Sequence, residues 1–136
     1  MRIKDVTELW LIHQRAADAA ARDAARADAR RTEAERALAA HDETVTREMA
    51  QAQGIGLWHA LGVWYHAAER RLHELRGEAG RRSHEAEEAR DGLRAAVIEA
   101  ERFETVAGEL SAERRAEAAR RAQLALDEAA LRRRFG

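Results

Sequence analysis

The sequence predicts an all-α fold, a long antiparallel two-helix coiled-coil hairpin whose second helix overhangs the first. Three observations predict it. The 136 residues include 33 alanines and no proline, and 36% of them are charged against 4% aromatic, a composition of strong helix formers. Apolar residues recur every three and four positions along most of the chain. One pair of closely spaced glycines divides that pattern into two parts.

The first helix is predicted from about residue 3 to residue 52. Counting in sevens from Ile3 and from Val6 gives the a and d positions of seven unbroken heptads, and 11 of these 15 positions are apolar. Such a repeat is typical of a coiled coil, in which a and d residues form a narrow seam with a partner helix. His13 and His41 fall on the seam, and we interpret them as tolerated polar residues; the alternative is a switch that loosens the hairpin in acid.

The turn is predicted at residues 53–56, Gln53-Gly54-Ile55-Gly56, where two glycines lie two positions apart. A short turn makes the two helices antiparallel. Folding the chain about the middle of this turn places residue x opposite roughly residue 109 minus x, so Ile3 is expected level with about residue 106.

The second helix is predicted from about residue 57 to residue 132, with its heptads in a new phase that begins at Trp58. Fifteen of its 16 a and d positions up to Leu110 are apolar. Gly77 and Gly80 fall on outward positions without a break in the register, so we expect one continuous helix, with a hinge near them as the alternative. Four of the next six seam positions are charged, which indicates that pairing stops near Leu110.

Charge and composition argue against several function classes. The chain has 24 basic and 25 acidic residues, a net charge of −1, so we expect no nucleic-acid binding. No segment is apolar enough for membrane insertion, and no signal peptide is recognisable. The absence of cysteine removes thiolate metal sites, and a two-helix hairpin offers no concave site in which catalytic groups converge. We therefore expect a cytoplasmic protein that is not an enzyme and holds no cofactor or metal ion.

A cluster of apolar and aromatic residues beside the turn predicts a binding surface for another protein, here called the tip surface. Such clusters in an otherwise charged chain mark interaction sites, and tryptophan and tyrosine are frequent hot spots. Trp64 is expected to lie mostly outside the seam and Trp58 mostly within it. The alternative is that the cluster only packs the end of the hairpin. The tip surface comprises Leu57, Trp58, Leu61, Val63, Trp64, Tyr65 and Ala68.

A second predicted surface, the terminal surface, combines the start of the first helix with the overhang of the second. At the start of the first helix, apolar residues occupy positions outside a and d, so the apolar stripe is wider than a coiled-coil seam needs. The alternatives to binding another protein are packing against Phe103, Val106 and Leu110, or self-association. Residues 111–136 hold seven arginines against four acids, a net charge of +3 that suits an acidic protein surface. The terminal surface comprises Leu9, Leu11, Ile12, Arg114, Arg115, Arg120, Arg121 and Asp127.

Two stretches carry a family resemblance. The first is Gly54-Ile55-Gly56-Leu57-Trp58 followed by Trp64-Tyr65 and the run to Leu72, and the second is Leu126-Asp127-Glu128-Ala129-Ala130 followed by Arg132-Arg133-Arg134-Phe135. With these stretches, the length and the two-helix layout, the chain resembles the FliJ family of flagellar export proteins and their relatives in virulence-type type III secretion.

The resemblance implies a stalk subunit that couples an export ATPase to the membrane-embedded export gate. The terminal surface would face the ATPase ring and the tip surface the export-gate protein, and the chain would also escort export chaperones. Such a subunit would be cytoplasmic and peripheral to the inner membrane. The sequence leaves open whether a flagellar or a virulence-type system is served, and a generic coiled-coil tether or spacer is the alternative function.

Overall fold

The computed structural model describes residues 2–55 and 58–135, together with their side chains except those of residues 55 and 58–60. Helix α1 spans Ile3–Ile55 and helix α2 spans Trp58–Phe135. The predicted all-α hairpin of two helices packed against each other is confirmed. Each helix boundary lies within three residues of the predicted one, and the predicted turn residue Gly56 lies outside the described residues, as does Leu57.

Helix α2 continues without interruption through both of its central glycines. Gly77 and Gly80 are exposed, and both have helical backbones. A Cβ atom at Gly80 would meet nothing within 4 Å. These positions therefore face outward, as their place in the heptads predicts, and the continuous helix is confirmed there.

Residues 19–94 form one compact unit, here called the hairpin unit, which contains the end of α1 and the beginning of α2. Small side chains dominate its interior, so the distance between the helix axes is set by alanines more than by leucines. Its buried apolar residues are Ala24, Ala27, Ala34, Ala68, Leu75 and Ala86.

The pairing register of the hairpin unit can be followed through contacts between the two helices. Residues 53–55, which we assigned to the turn, belong to α1. The residue numbers of cross-helix contacts add up to 109 for His41 and Ala68, to 112 for Ala34 and Glu78, and to 118 for Asp28 and Arg90. The predicted sum of roughly 109 is found at the contact nearest the turn, and the sums are larger further from it.

The start of α1, up to Asp18, and α2 from Ala95 onward form the second compact unit, here called the terminal unit. Val6, Ala17 and Ala100 are buried in it, and every a and d position of the unit up to Leu110 is at least half-buried. Pairing therefore ends where the sequence predicts.

The start of α1 lies further along α2 than we predicted. Ile3 shares a cavity with Leu110 and Arg114, whereas residue 106 was expected opposite it. Beyond Ser111, all residues from Ala112 to Phe135 are exposed. This segment of α2, residues 112–135, is called the overhang below.

Candidate interaction surfaces

The tip surface is only partly accessible. Val63 is 82% exposed and Tyr65 is 41% exposed, whereas Leu61 and Trp64 are half-buried. Ala68 is buried, so its side chain belongs to the seam and is not available to a partner. Leu57 and the side chain of Trp58 lie outside the described residues.

The burial of the Trp64 and Tyr65 side chains is the reverse of what the heptads predict. Tyr65 falls on an a position, yet it is the exposed residue of the two, and Trp64 is covered in its place. The same exchange occurs on α1, where Glu48 at d is exposed and its neighbour Met49 is half-buried. The expectation that most of Trp64 lies outside the seam is therefore wrong, and Tyr65 is the exposed residue of this pair.

Tyr65 also interacts with the acidic residue one turn further along α2. A hydrogen bond with Glu69, reinforced by the negative charge of that carboxylate, raises the pKa of the Tyr65 hydroxyl. The phenol is therefore harder to deprotonate than that of an isolated tyrosine.

At the start of α1, part of the terminal surface is exposed. Leu11 and Ile12 are 44% and 57% exposed, while Leu9 is half-buried. Val106, one of the residues that could have packed against them, is itself 41% exposed and does not cover them fully. The exposed pair therefore remains a candidate contact for another molecule.

All charged residues of the terminal surface lie on the overhang, and all of them are exposed. The guanidinium of Arg121 donates to Oε1 of Glu117 at 2.6 Å, and the side-chain amide of Gln123 donates to Oδ1 of Asp127 at 3.0 Å. Both bonds join residues of the same helix, so they support the helix and leave its faces open. The charged residues of the predicted surface that lie here are Arg114, Arg115, Arg120, Arg121 and Asp127.

The overhang also exposes large apolar side chains that the predicted surface did not include. Leu124, Leu126, Leu131 and Phe135 are between 55% and 80% exposed. Three of them, all except Leu126, continue the a and d positions of the seam. Extending the heptad count to the end of the helix identifies these three from sequence.

A cavity of about 360 Å³ lies where pairing ends in the terminal unit. It is called the seam-end notch here. Apolar side chains line part of it and charges of both signs line the rest. Its lining residues are Arg2, Ile3, Lys4, Leu110, Glu113, Arg114 and Glu117.

In the hairpin unit, seam arginines are held by carboxylates. Nη2 of Arg31 lies 2.6 Å from Oδ1 of Asp28, and Nη2 of Arg90 reaches the same oxygen from the other helix at 2.9 Å. The pair of Arg90 with Asp28 joins the two helices. The pair of Arg31 with Asp28 lies within α1 and neutralises part of the charge of Arg31, which the heptads place in the seam.

The second seam arginine, Arg82, is similarly paired. Nε of Arg82 donates to Glu78 at 2.8 Å, and Nη1 donates to Glu85 at 3.0 Å. Hydrogen bonds from Arg81 and then from Arg82 lower the pKa of the Glu78 carboxyl. Both arginines that interrupt the apolar seam therefore use carboxylates within one turn of their own helix, a spacing visible in the sequence.

The two seam histidines have defined partners. The ring of His13 stacks on Phe103 with centroids 4.5 Å apart, and Nε2 of His41 lies 3.0 Å from the carbonyl oxygen of Ala68. A carbonyl oxygen only accepts, so Nε2 of His41 carries the proton in this bond.

The chain matches no protein-family model, and no curated protein or solved structure is significantly similar to it. In the described part of the chain, neither helix contains a segment long and apolar enough to cross a membrane. Residues 2–55 and 58–135 hold no group of three or more histidine and acidic side chains placed to bind a metal ion.

Proposed function

We propose that this chain is a non-enzymatic stalk subunit of a bacterial flagellar or related type III protein export apparatus. In this role it links the export ATPase to the export gate and escorts export chaperones. It acts in the cytoplasm, peripheral to the inner membrane. The proposal rests on one structural observation together with the family resemblance.

The observation that carries the proposal is the overhang. Twenty-four consecutive residues of α2 are helical and exposed, directly after the paired part of the terminal unit, in which every a and d position up to Leu110 is at least half-buried. An unpaired helix of this length gains no stability from packing, which supplies most of the stability of helices in proteins. A helix with exposed arginines and leucines suits insertion into a ring of subunits that presents acidic and apolar residues.

The tip supports the second contact. Val63 and Tyr65 are exposed close to the turn, at the far end of the hairpin unit from Ala19 and Arg94. An exposed tyrosine is a candidate centre for a protein interface, because tyrosine is enriched among the residues that contribute most binding energy. The export gate is the partner that the resemblance implies for this surface.

The direct experiment uses the purified export ATPase of the organism that encodes this chain. We expect the full chain to bind the ATPase and to raise its rate of hydrolysis. Truncation after Ser111 removes the overhang and is expected to abolish that stimulation. A matched control replaces Val63 and Tyr65 by alanine, which leaves the overhang intact and should leave the stimulation unchanged.

Circular dichroism must accompany the truncation, because a loss of stimulation is informative only if the remaining helices stay paired. The removed residues are all exposed, so we expect the melting temperature to fall by less than about 10 °C. A folded full chain that neither binds nor stimulates the ATPase would refute the stalk function. The remaining alternative is then a generic coiled-coil tether.

A further inference from the structure

The helix propensity of α2 changes where its pairing with α1 ends. In residues 95–111, β-branched, aromatic, serine and glycine residues occupy seven of the 17 positions, and all of these residue types are weaker helix formers than alanine. In the overhang, 22 of the 24 residues are alanine, arginine, glutamate, leucine or glutamine, which lead the propensity scale, and the exceptions are Asp127 and Phe135. The unpaired part of α2 therefore has the stronger intrinsic preference for helix.

Contacts between the helices compensate for the weaker propensity of the paired part. Ala100 is 4% exposed, and the ring of Phe103 stacks on His13 with centroids 4.5 Å apart, so α1 holds this stretch of α2 in place. The overhang has no such support within the described chain, because every residue from Ala112 to Phe135 is exposed. Its helix therefore depends on its own backbone and on interactions along itself.

Side chains along the overhang supply such interactions. The guanidinium of Arg121 donates to Oε1 of Glu117 at 2.6 Å, and the amide of Gln123 donates to Oδ1 of Asp127 at 3.0 Å. Both pairs are four residues apart, and the ion pair has its acid nearer the N-terminus, the orientation that stabilises an isolated helix more. Three consecutive arginines, the last of them Arg134, lie in the final turn, where positive charge interacts favourably with the helix dipole. None of these contributions needs a second helix.

The overhang also avoids the step that makes short isolated helices unstable. Forming a first helical turn is unfavourable by a factor of about 10⁻³, whereas adding a good helix former to an existing helix near 0 °C has an equilibrium constant of about 1 to 1.6. Ser111, the last residue before the overhang, is half-buried and lies inside α2. The overhang thus extends a helix that packing already holds, and its free end at Phe135 is the part that is lost first.

We propose that the overhang is helical in the free chain, propagated from the paired part of α2 and fraying from Phe135 inward. A partner then meets a formed helix near Arg114 and Arg121, where binding requires little ordering of the backbone, and it completes the helix near Phe135. Leu124 and Leu131 are exposed and available to that partner. The overhang contributes to the terminal surface of the proposed function, but its helix in the free chain does not depend on that function.

The Cα chemical shifts of the full chain, measured by NMR, report the helix content of each residue. Near 0 °C we expect the overhang to be helical, with the highest helix fraction beside Ser111 and the lowest beside Phe135. Warming should lower these fractions gradually, because helix propagation weakens with temperature, while residues 95–110 keep their shifts until α1 and α2 separate. Random-coil shifts throughout the overhang would overturn the proposal. Shifts that depend on protein concentration would do so too, because association of copies would then hold the helix.

Two proline variants test whether the helix is propagated from Ser111. Proline in a helix interior lowers the equilibrium constant for helix more than about hundredfold, or about 3 kcal/mol, because it lacks the N–H group and clashes with the preceding turn. In Ala118→Pro the residues beyond the proline must nucleate a helix of their own, so Leu124 and Leu126 should lose most of their helix content. In Ala130→Pro both leucines lie between Ser111 and the proline, so they should keep most of it.

The two variants are matched, because Ala118 and Ala130 are both exposed and neither change removes a buried side chain. Residues 95–110 should keep the shifts of the parent chain in both variants, which would show that the paired helices are intact. Equal helix content at Leu124 in the two variants would contradict propagation from the paired part and overturn the proposal. The outcome of the ATPase experiment does not affect these measurements, since no export protein is present in them.

Discussion

His41 on α1 is joined to Ala68 on α2 by a hydrogen bond between helices, with 3.0 Å between Nε2 and the backbone carbonyl oxygen. This bond places a polar side chain in a seam that is otherwise mostly apolar. It also fixes one pair of facing residues in the hairpin unit.

Replacing His41 by alanine should destabilise the hairpin unit by about 1 kcal/mol, because one hydrogen bond and the burial of a half-buried side chain are lost. His41→Leu should recover most of that loss, since leucine suits a seam position. His66→Ala is the control, because His66 lies exposed on α2. Urea unfolding measures all three, and equal midpoints for the His41 and His66 alanine variants would show that the bond adds nothing.

The buried alanines of the hairpin unit should not tolerate larger side chains. Ala86 is 1% exposed and Ala24 is 8% exposed, so leucine at either position must push the helices apart. We expect each substitution to cost about 1 to 3 kcal/mol. Ala25→Leu provides the matched control, because Ala25 is exposed beside Ala24. If the buried leucines raise the melting temperature more than the control does, then the seam has unfilled space.

Replacing Trp10 by phenylalanine should lower the stability of the protein less than the loss of ring volume alone predicts. Its Nε1 atom is buried and has no hydrogen-bond partner among the described residues, which costs about 1 to 3 kcal/mol. Trp10→Phe removes that donor and keeps an aromatic ring, so we expect stability within about 1 kcal/mol of the parent. Trp10→Ala should lose about 2 kcal/mol or more, since it also removes the ring. Equal losses for the two variants would mean that the indole N–H is satisfied in solution.

The Glu78 carboxylate should contribute to stability in a pH-dependent way. Its pKa is lowered by hydrogen bonds from Arg81 and Arg82, so its contribution is present above the ordinary carboxyl pKa and is lost as the pH falls through the lowered value. Glu78→Gln should therefore flatten the loss of stability below about pH 4.5. Glu87→Gln, at an exposed position on the same helix, is the control. Denaturation at several acidic pH values measures the effect, and parallel curves for the parent and Glu78→Gln would contradict it.

At the tip, the two neighbouring aromatic residues should behave differently. Tyr65→Ala should leave the melting temperature nearly unchanged and weaken binding of the tip partner by about 2 kcal/mol, because Tyr65 is exposed. Trp64→Ala should lower the melting temperature, because Trp64 is half-buried. Under the proposed function, the Tyr65 variant reduces motility in soft agar at normal protein levels. Full motility of that variant would remove Tyr65 from the binding surface.

The sequence by itself determined the two helices, the part of α2 that is paired and the part that is exposed. The seven-residue repeat continues through Gly77 and Gly80 and loses its apolar character after Leu110, and the structure follows both features. These properties are local. They depend on helix propensity and on which side of one helix is apolar, and both can be counted along the chain.

Only the tertiary structure decided which helix faces meet at the tip and which residues lie opposite each other. The repeat assigns Tyr65 and Glu48 to the seam and their neighbours Trp64 and Met49 to flanking positions, and the structure reverses both assignments. Helix α1 continues to Ile55, which the helical Gly54 permits and does not require. An antiparallel register depends on where the chain reverses, and one residue more in the first helix moves every cross-helix pair, whereas the heptads of each helix stay unchanged.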